Sequence, residues 1–319
     1  MDKIVITTGD PNGIGAEITI KALNRLGLPA EKIAIITNKK ILDYYCHPEA
    51  VCTEILRSSL NDSSAEESHN FNIYDYEIIE IPYDAEITPG KITKEAGEFS
   101  FQSVKLACEL RPKAIVTAPV AKNALYLAGH EFNGQTEILQ KYLAHDNQLA
   151  EMLFVAENFR VLLLTRHVAL KEISLTKEMV IEKILNLKEF FVKHLKIKEP
   201  KFALCGFNPH SGENGILGGE EIEILQPAVD ELRKCGINIT NPLPADTLFS
   251  KYNDFDCIIA NYHDQGLIPI KTVAGDKTVN MTIGLDIIRT SPGHGTAFDI
   301  AGKNIADETG MIEAIKAVL

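Results

Sequence analysis

The sequence contains few cysteines, no long apolar run and no cluster of basic residues, and each absence narrows the class of protein. Its six cysteines are scattered and form no Cys-x-x-Cys pair, which argues against a disulfide scaffold or zinc ribbon and favours a reduced cytoplasmic protein. The longest apolar runs, such as residues 161–164, are too short to cross a bilayer. The chain opens on an apolar strand without the pattern of a signal peptide, so we expect a cytoplasmic location.

The charge balance is acidic, with a formal net charge of -12 at pH 7. An acidic chain repels nucleic acid and anionic membrane surfaces, so we expect neither as a partner. Any phosphate site must therefore be a local cationic patch. The 319 residues are 45% hydrophobic and 24% charged, which is ordinary globular composition and sufficient for two cores.

Short apolar runs alternate with helical periodicity along most of the chain, and this alternation predicts an α/β fold. The predicted strands are residues 4–6, 33–37, 78–81, 114–117, 202–206 and 257–260, and the predicted helices are residues 17–26, 94–110, 138–143, 176–195 and 220–234. The runs 152–155 and 161–164 should pair across a turn at Glu157 and Asn158. The polar and acidic stretch 58–70 is predicted to be a solvated surface excursion.

A loop with three glycines, Gly9, Gly13 and Gly15, joins the first predicted strand to the first predicted helix. Glycines at such a turn can let a ligand approach the backbone. The spacing matches neither the dinucleotide pattern Gly-x-Gly-x-x-Gly nor the Walker pattern. The residues alone therefore favour a tight structural turn over a phosphate site.

Three histidines, His167, His210 and His263, each follow the end of a predicted apolar strand. If those strands are parallel neighbours, the imidazoles converge at one edge of the sheet, where open α/β sheets bind ligands. Three imidazoles around an open position suit a divalent metal such as zinc. The alternative is that each histidine is solvated, with Asp264 simply occupying the first turn of a helix.

Several other polar residues also follow predicted strands. Arg289 could clamp a phosphate or carboxylate with two hydrogen bonds, and the glycine-rich and hydroxyl-rich loop 291–296 suits a polar cofactor. Lys122 could meet an anionic ligand or be solvated. Thr136 could hold a polar substrate or merely cap the helix that follows it.

Six blocks of the chain, in the same order, resemble the 4-hydroxythreonine-4-phosphate dehydrogenase family of pyridoxal phosphate biosynthesis. The blocks are residues 8–15, 117–119, 208–213, 244–247, 262–266 and 289–303. The last block is also similar to the cofactor loop of isocitrate and isopropylmalate dehydrogenases. The resemblance implies two α/β/α domains of that dehydrogenase type, residues 1–130 with 285–319 and residues 131–284, with an active-site cleft between them.

The same resemblance implies a homodimer whose active site borrows residues across the interface, with the second domain carrying the dimer contacts and the metal ligands. It implies NAD or NADP as cofactor and a divalent metal (zinc, cobalt, magnesium, nickel or manganese). The implied metal ligands are His167, His210 and His263, the implied substrate contacts are Gln135, Thr136, Lys271, Asn280 and Arg289, and the implied cofactor contacts are Gly295, Thr296 and Asn280. Asp246 and Asp264 would lie beside the metal, and these two residues and Lys271 are the implied catalytic residues.

The expected reaction is oxidation and decarboxylation of 4-phosphohydroxy-L-threonine to 3-amino-2-oxopropyl phosphate. One position departs from the family pattern, because Gln135 stands where the family usually has histidine. Glutamine can donate and accept hydrogen bonds but cannot carry a proton at neutral pH. Two alternatives therefore stay open: the same chemistry on 4-phosphoerythronate or threonate 4-phosphate, and a non-catalytic protein that binds metal and ligand on this fold.

Overall fold

The computed structural model describes residues 1–46, 71–145 and 148–319, and the chain divides into two units. The first unit is Met1–Asn147 together with Leu285–Leu319, and the second is Gln148–Gly284. The stretch 58–70, predicted to be a surface excursion, lies outside the described residues. Among the helices of the described ranges, none has the length and apolar character that a membrane span requires.

The first unit is built on parallel strands in the order β3-β2-β1-β4-β11. These strands are β1 (Ile4–Thr7), β2 (Ile33–Thr37), β3 (Glu77–Glu80), β4 (Ala114–Thr117) and β11 (Arg289–Pro292). Every residue of β1, β2 and β4 is buried. Strands covered on both faces are expected to be continuously apolar, which is the pattern of these segments in the sequence.

Helices in the first unit begin where local capping chemistry allows. They are α1 (Gly15–Leu26), α2 (Lys39–Tyr45), α3 (Lys94–Glu109), α4 (Lys122–Leu127), α5 (Gln135–Leu143) and α10 (Thr309–Lys316). The Thr93 side chain caps α3 by accepting a hydrogen bond from the backbone N–H of Ala96. Gly27 ends α1 in the left-handed conformation at φ 54°, as a glycine at that position commonly does.

The second unit has a mixed sheet in the order β10-β5-β6-β9-β7-β8. Its strands are β5 (Glu151–Ala156), β6 (Phe159–Leu163), β7 (Lys201–Leu204), β8 (Asn238–Ile239), β9 (Cys257–Ala260) and β10 (Val279–Ile283). Strands β5 and β6 form the predicted antiparallel hairpin, and β10 adds to β5 in the antiparallel direction. Strands β6, β9, β7 and β8 are parallel neighbours.

Helices and a hydrophobic core cover this second sheet. The helices are α6 (Lys177–Lys193), α7 (Gln226–Lys234), α8 (Ala245–Leu248) and α9 (His263–Ala274). Leu267 and Ile270 of α9 pack against Val161, Leu163 and other buried residues of one sheet face. This burial fixes α9 against β6, which matters for the site described below.

The predicted helix over residues 220–234 is divided into two parts. A π-helical turn, Glu221–Leu225, precedes the regular helix α7. Pro227 has no N–H to donate, and its ring would crowd the carbonyl of Glu223 in a regular α-helical turn. A wider turn before the proline is therefore the local solution, and such turns often occur at functional sites.

Candidate active site

The strands that precede the three predicted metal ligands are parallel neighbours, as the convergence of the histidines requires. Strand β9 pairs with β6 on one side and with β7 on the other. His167 follows β6, His210 follows β7 and His263 follows β9. All three residues therefore belong to the same carboxyl edge of the sheet in the second unit.

A network of amide groups joins the carboxyl ends of these strands. Fully buried Asn261 donates from Nδ2 to the carbonyl of Cys205 (2.9 Å), and its own carbonyl accepts from the backbone N–H of Thr165 (3.1 Å). Gln265 accepts from the N–H of Asn261 (2.7 Å) and donates to the carbonyl of Gly206 (2.7 Å). Sequence reasoning did not identify Asn261 or Gln265. The available signal was a pair of amides four residues apart after an apolar strand.

Helix α9 brings His263 close to His167. Gly266 makes this possible, because a Cβ at that position would lie 2.6 Å from Cδ2 of Leu163 and 2.8 Å from Cγ1 of Val161. The ring centroids of His167 and His263 are 5.6 Å apart. These two of the three predicted ligands are thus brought together within one chain.

His210 lies in an unusual left-handed turn. Residues His210, Ser211, Gly212, Glu213 and Asn214 all have φ between 43° and 78°. Left-handed backbone costs a non-glycine residue about 1–2 kcal/mol, although histidine and asparagine tolerate it better than most residues. A run of such residues persists only where surrounding contacts impose it, and strained backbone of this kind clusters at functional sites.

The hydrogen bonds of two histidines suit metal binding through Nε2. Nδ1 of His210 lies 2.6 Å from Oε1 of Glu213, and Nδ1 of His263 lies 2.7 Å from Oδ1 of Asp264. A carboxylate on Nδ1 fixes a proton there and turns the Nε2 lone pair outward, which is the usual arrangement around metal-bound histidines. The hydrogen bond and charge of Glu213, assisted by the charge of Asp246, raise the pKa of His210. The donor set therefore fits a divalent metal.

Within a single chain the three histidines do not form a complete metal site. Among the described residues, no group of three or more His, Cys, Asp or Glu side chains lies close enough together to hold a metal ion. His167 and His263 supply two neighbouring donors, and His210 projects from its exposed turn.

The predicted catalytic residues of the second unit lie on two helices near these histidines. Asp264 is the second residue of α9, and Lys271 follows His263 by about two helical turns on the same helix. Asp246 lies in α8, near enough to His210 for its charge to raise the pKa of that imidazole. All three side chains are exposed to solvent.

Asn280, predicted to contact both substrate and cofactor, belongs to a row of polar residues on β10. Asn280 and Thr282 alternate along the strand and therefore point to the same face of the sheet, and Thr278 immediately precedes the strand. Within the described ranges, Oγ1 of both threonines and Oδ1 of Asn280 are buried without a hydrogen-bond partner. Buried polar atoms without partners are uncommon and indicate a place where a polar ligand or water binds.

The first unit contains a buried cation, Arg289, which is the first residue of β11 and does not follow a strand as the sequence predicted. Its side chain extends to Thr117, the last residue of β4. Arg289 is 3% exposed and donates from Nε to Oγ1 of Thr117 at 2.8 Å. Burial lowers the pKa of Arg289 to about 10, so the guanidinium remains charged at neutral pH. A buried guanidinium aimed by a threonine is suited to a phosphate or carboxylate ligand.

Gln135 and Thr136 begin helix α5 in the same unit, and both are buried. Gln135 donates from Nε2 to the carbonyl of Ala118 at 3.1 Å. Its Oε1 is buried without a hydrogen-bond partner in the part of the chain that the structure describes. Gln135 therefore presents a hydrogen-bond acceptor beside the end of β4. Thr136 is not a cap, because Gly134 occupies the N-cap position of α5.

The glycine loop is a tight structural turn, as the spacing of its glycines favours, and its glycines allow close packing against neighbouring backbone. A Cβ on Gly9 would lie 2.3 Å from the carbonyl oxygen of Pro119, and one on Gly15 would lie 2.2 Å from that of Thr8. A Cβ on Gly13 would lie 3.1 Å from the carbonyl oxygen of Thr296, and the N–H of Ile14 donates to that carbonyl (3.1 Å). The loop therefore supports the predicted cofactor loop.

The predicted cofactor loop itself retains room for a ligand. A Cβ on Gly295 would meet no described atom within 4 Å. Nε2 of His294 is buried, and among the described residues it has no hydrogen-bond partner. The open space at Gly295 leaves room for a polar cofactor such as a dinucleotide.

Comparison with known proteins identifies the family. Residues 29–318 match the family described as Pyridoxal phosphate biosynthetic protein PdxA. The chain belongs to the PdxA family. The family assignment confirms the resemblance and identifies the chain as a PdxA-family dehydrogenase. The substrates named for its relatives fall into two classes.

The PdxA relatives differ in named substrate. A 4-hydroxythreonine-4-phosphate dehydrogenase of Sulfurihydrogenibium sp. is 40% identical, with 100% of this chain and 98% of that protein aligned. A D-threonate 4-phosphate dehydrogenase of Cupriavidus necator is 38% identical, with 98% of this chain and 95% of that protein aligned. The crystal structure of a 4-hydroxythreonine-4-phosphate dehydrogenase from Klebsiella pneumoniae superposes with a TM-score of 0.82 at 32% identity, covering 100% and 98% of the two chains.

The predicted fold class is also confirmed. Isocitrate dehydrogenase from Methylococcus capsulatus superposes with a TM-score of 0.50 at 14% identity, covering 100% of this chain and 85% of that chain. At this identity the likeness concerns the fold alone. The PdxA family member therefore has the α/β fold with mixed sheet of the isocitrate and β-decarboxylating dehydrogenases.

Proposed function

We propose that this PdxA family enzyme oxidises and decarboxylates 4-phosphohydroxy-L-threonine, using NAD or NADP and a divalent metal. The observation that carries the proposal is the meeting of His167 and His263 at the carboxyl edge of the second sheet, with ring centroids 5.6 Å apart. Family membership and the buried cation Arg289 support the same reaction.

His167, His210 and His263 would hold the metal through their imidazoles. When bound, a divalent cation lowers the pKa of a substrate hydroxyl and stabilises the negative charge that develops during decarboxylation. Asp264 and Glu213 hold the rings of His263 and His210 through Nδ1, which would leave each Nε2 free to bind the cation. Zinc, cobalt, magnesium, nickel and manganese are the candidate ions, and the histidine donors favour the transition metals among them.

The substrate phosphate would be held by Arg289, with Gln135 and Thr136 as polar partners from the same unit. Thr117 aligns the guanidinium, and burial excludes water, which strengthens the interaction with an anion. The family resemblance also implies that Asn280 and Lys271 contact the substrate. Gly295 and Thr296, with Asn280, would contact the dinucleotide.

Proton transfer needs a base for the hydroxyl and an acid for the product carbon. Lys271 and Asp246 are the candidates, and Asp264 is fixed in place by its hydrogen bond to His263. Lys271 has three donors on a flexible stem and can reach a bound substrate from α9. Asp246 would act near His210, whose pKa its charge raises.

The active form would be a homodimer in which His210 of one subunit completes the metal site of the other. This arrangement accounts for the incomplete ligand set of a single chain. Large apolar side chains lie exposed beside the His210 turn, including Ile216 at 79% and Ile222 at 56% exposure. A groove of about 700 Å³ lined by His210 and these isoleucines would receive a second copy.

The test is NADH formation at 340 nm with metal-replete protein and 4-phosphohydroxy-L-threonine, with His210→Ala as a matched variant. Turnover in the parent enzyme that is lost in His210→Ala supports both the substrate and the ligand set. Metal binding without turnover on any phosphorylated hydroxy acid would instead support a non-catalytic binding protein.

A second candidate substrate is D-threonate 4-phosphate or 4-phosphoerythronate. Gln135 favours it, because this acceptor stands where family members usually carry a titratable histidine. These substrates carry a hydroxyl in place of the amino group of 4-phosphohydroxy-L-threonine. Turnover restricted to the hydroxy acids would move the enzyme to the class of the Cupriavidus necator relative.

A further inference from the structure

The left-handed turn that carries His210 rests on a buried carboxylate outside the predicted site. Glu221 is 6% exposed and begins the π-helical turn Glu221–Leu225. We propose that Glu221 is a positioning residue that imposes the left-handed turn and thereby presents His210 to the metal. The inference rests on the proposed function, because it takes His210 to be a metal ligand.

Both carboxylate oxygens of Glu221 accept hydrogen bonds from Asn208, the residue that leads into the turn. The backbone N–H of Asn208 donates to Oε1 (2.7 Å), and Nδ2 of Asn208 donates to Oε2 (3.0 Å). Nδ2 of Asn208 also donates to Oε2 of Glu220 at 2.7 Å. Asn208 therefore enters the turn with its backbone and its side chain both fixed.

The same carboxylate packs directly against the turn. A Cβ on Gly212 would lie 2.7 Å from Oε2 of Glu221, and Gly212 has φ +78°. In addition, Oγ of Ser211 donates to the carbonyl of Pro242 at 2.8 Å. Glu221 and the segment at Pro242 thus both hold the strained residues, while Asn208 fixes their entry.

These contacts hold the strained backbone in the conformation that sets the direction of the His210 side chain. Without external anchors, a run of left-handed residues that includes His210, Ser211, Glu213 and Asn214 would relax to right-handed backbone. Such a change would redirect the imidazole. Glu221 therefore fixes the backbone direction of His210, and Glu213 fixes the rotation of its ring through Nδ1.

The π-helical turn directs two successive side chains, Glu221 and Ile222, to different surroundings. Glu221 points inward to the left-handed turn, whereas the next residue, Ile222, is 56% exposed in the groove proposed to receive the second subunit. A purely structural role for Glu221 would affect stability alone. A positioning role predicts a change in metal affinity of the folded protein.

The decisive variant is Glu221→Gln, which keeps the shape but presents only one oxygen to the two donors of Asn208. We would titrate the folded, substrate-free protein with Co²⁺, followed by visible absorption, and obtain the Zn²⁺ affinity by competition. The matched control is Glu223→Gln, which removes an exposed carboxylate from the same helical segment. His210→Ala reports the contribution of the ligand itself, and thermal unfolding checks that each variant is folded.

Loss of a hydrogen bond that orients a metal ligand typically weakens metal affinity by about 10- to 100-fold. We expect a loss in that range for Glu221→Gln, a changed Co²⁺ spectrum, and parent-like values for Glu223→Gln. Asn208→Ala keeps the backbone hydrogen bond to Glu221, so it should give a smaller loss and serves as the test if Glu221→Gln does not fold.

A metal affinity of Glu221→Gln within twofold of the parent, while His210→Ala loses affinity, would overturn the positioning role and leave the proposed function intact. If His210→Ala also binds metal like the parent, His210 is not a ligand. That result would refute the metal assignment in the proposed function, and the inference would fall with it. The two failures are therefore distinguished by the behaviour of His210→Ala.

Discussion

Replacing the buried carboxyl of Asp10 by an amide should change how stability depends on pH. Asp10 lies in the glycine loop and is fully buried. Its Oδ1 accepts from the N–H of Asn12 at 2.9 Å, and its Oδ2 is buried without a hydrogen-bond partner in the described part of the chain. Burial raises the pKa of Asp10 from 3.8 to about 6, because desolvation outweighs the opposing effect of the neighbouring Asn12 and Ala121 backbone N–H groups.

Because the pKa of Asp10 is raised on folding, ionisation of this carboxyl lowers the free energy of unfolding as pH rises. Between pH 3.8 and about 6 the folded state holds the Asp10 proton more tightly than the unfolded state. The free energy of unfolding contributed by Asp10 is therefore fully present below pH 3.8 and is lost as pH rises through about 6. A pKa increase of about two units corresponds to a loss of about 3 kcal/mol at neutral pH.

The assay compares the free energies of unfolding of the parent and Asp10→Asn in urea at pH values from 4 to 8. The amide resembles the protonated acid, because it keeps an acceptor for Asn12 and carries no charge. The two proteins should therefore be similarly stable near pH 4, and the variant should be more stable by about 3 kcal/mol above pH 7. Taking the difference at each pH removes the contribution of the other titrating groups.

Equal pH dependence in the two proteins would refute the reasoning, because it would mean that Asp10 is ionised without penalty in the folded state. A variant that is less stable by the same amount at every pH would refute it as well. In that case the carboxylate oxygen would have a favourable partner, and the amide would disrupt it.

Three further predictions concern binding and assembly. Arg289→Lys should raise KM for the phosphorylated substrate by roughly 10- to 100-fold, because lysine cannot reproduce the paired donors or the Thr117 contact. An unchanged KM in steady-state kinetics would contradict the assignment of Arg289 to the substrate phosphate. Gln135→His should raise kcat/KM for 4-phosphohydroxy-L-threonine relative to threonate 4-phosphate, and a substrate panel that shows no change of preference would remove Gln135 as a determinant. Ile216 is 79% exposed in one chain, and Ile216→Glu would place a charge in the proposed dimer interface. Sedimentation should then show monomers, with NADH formation lost, whereas intact dimers would exclude this face as the interface.

The metal-binding part of the site could be predicted from the sequence because its three histidines follow apolar strands. Strands β6, β7 and β9 are recognisable in the sequence from runs of apolar residues, and a parallel sheet places their carboxyl ends at one edge. Proximity of residues so far apart in the chain then follows from topology. The structure adds that His263 lies beside His167, because Gly266 lets the helix approach the strand.

Residue order and local periodicity are sufficient to predict the alternation of strands and helices, the strand-end positions of the three histidines and the family. The left-handed turn at His210 could not be predicted in this way, because its backbone strain is compensated by Glu221, which lies in a separate helical segment. The same holds for Asp10, whose pKa depends on how completely neighbouring loops exclude water. It also holds for Gly9, Gly13 and Gly15, because sequence spacing does not specify which backbone approaches a glycine. Local pattern specifies elements, whereas strain, desolvation and close approach arise from segments that meet only in the folded chain.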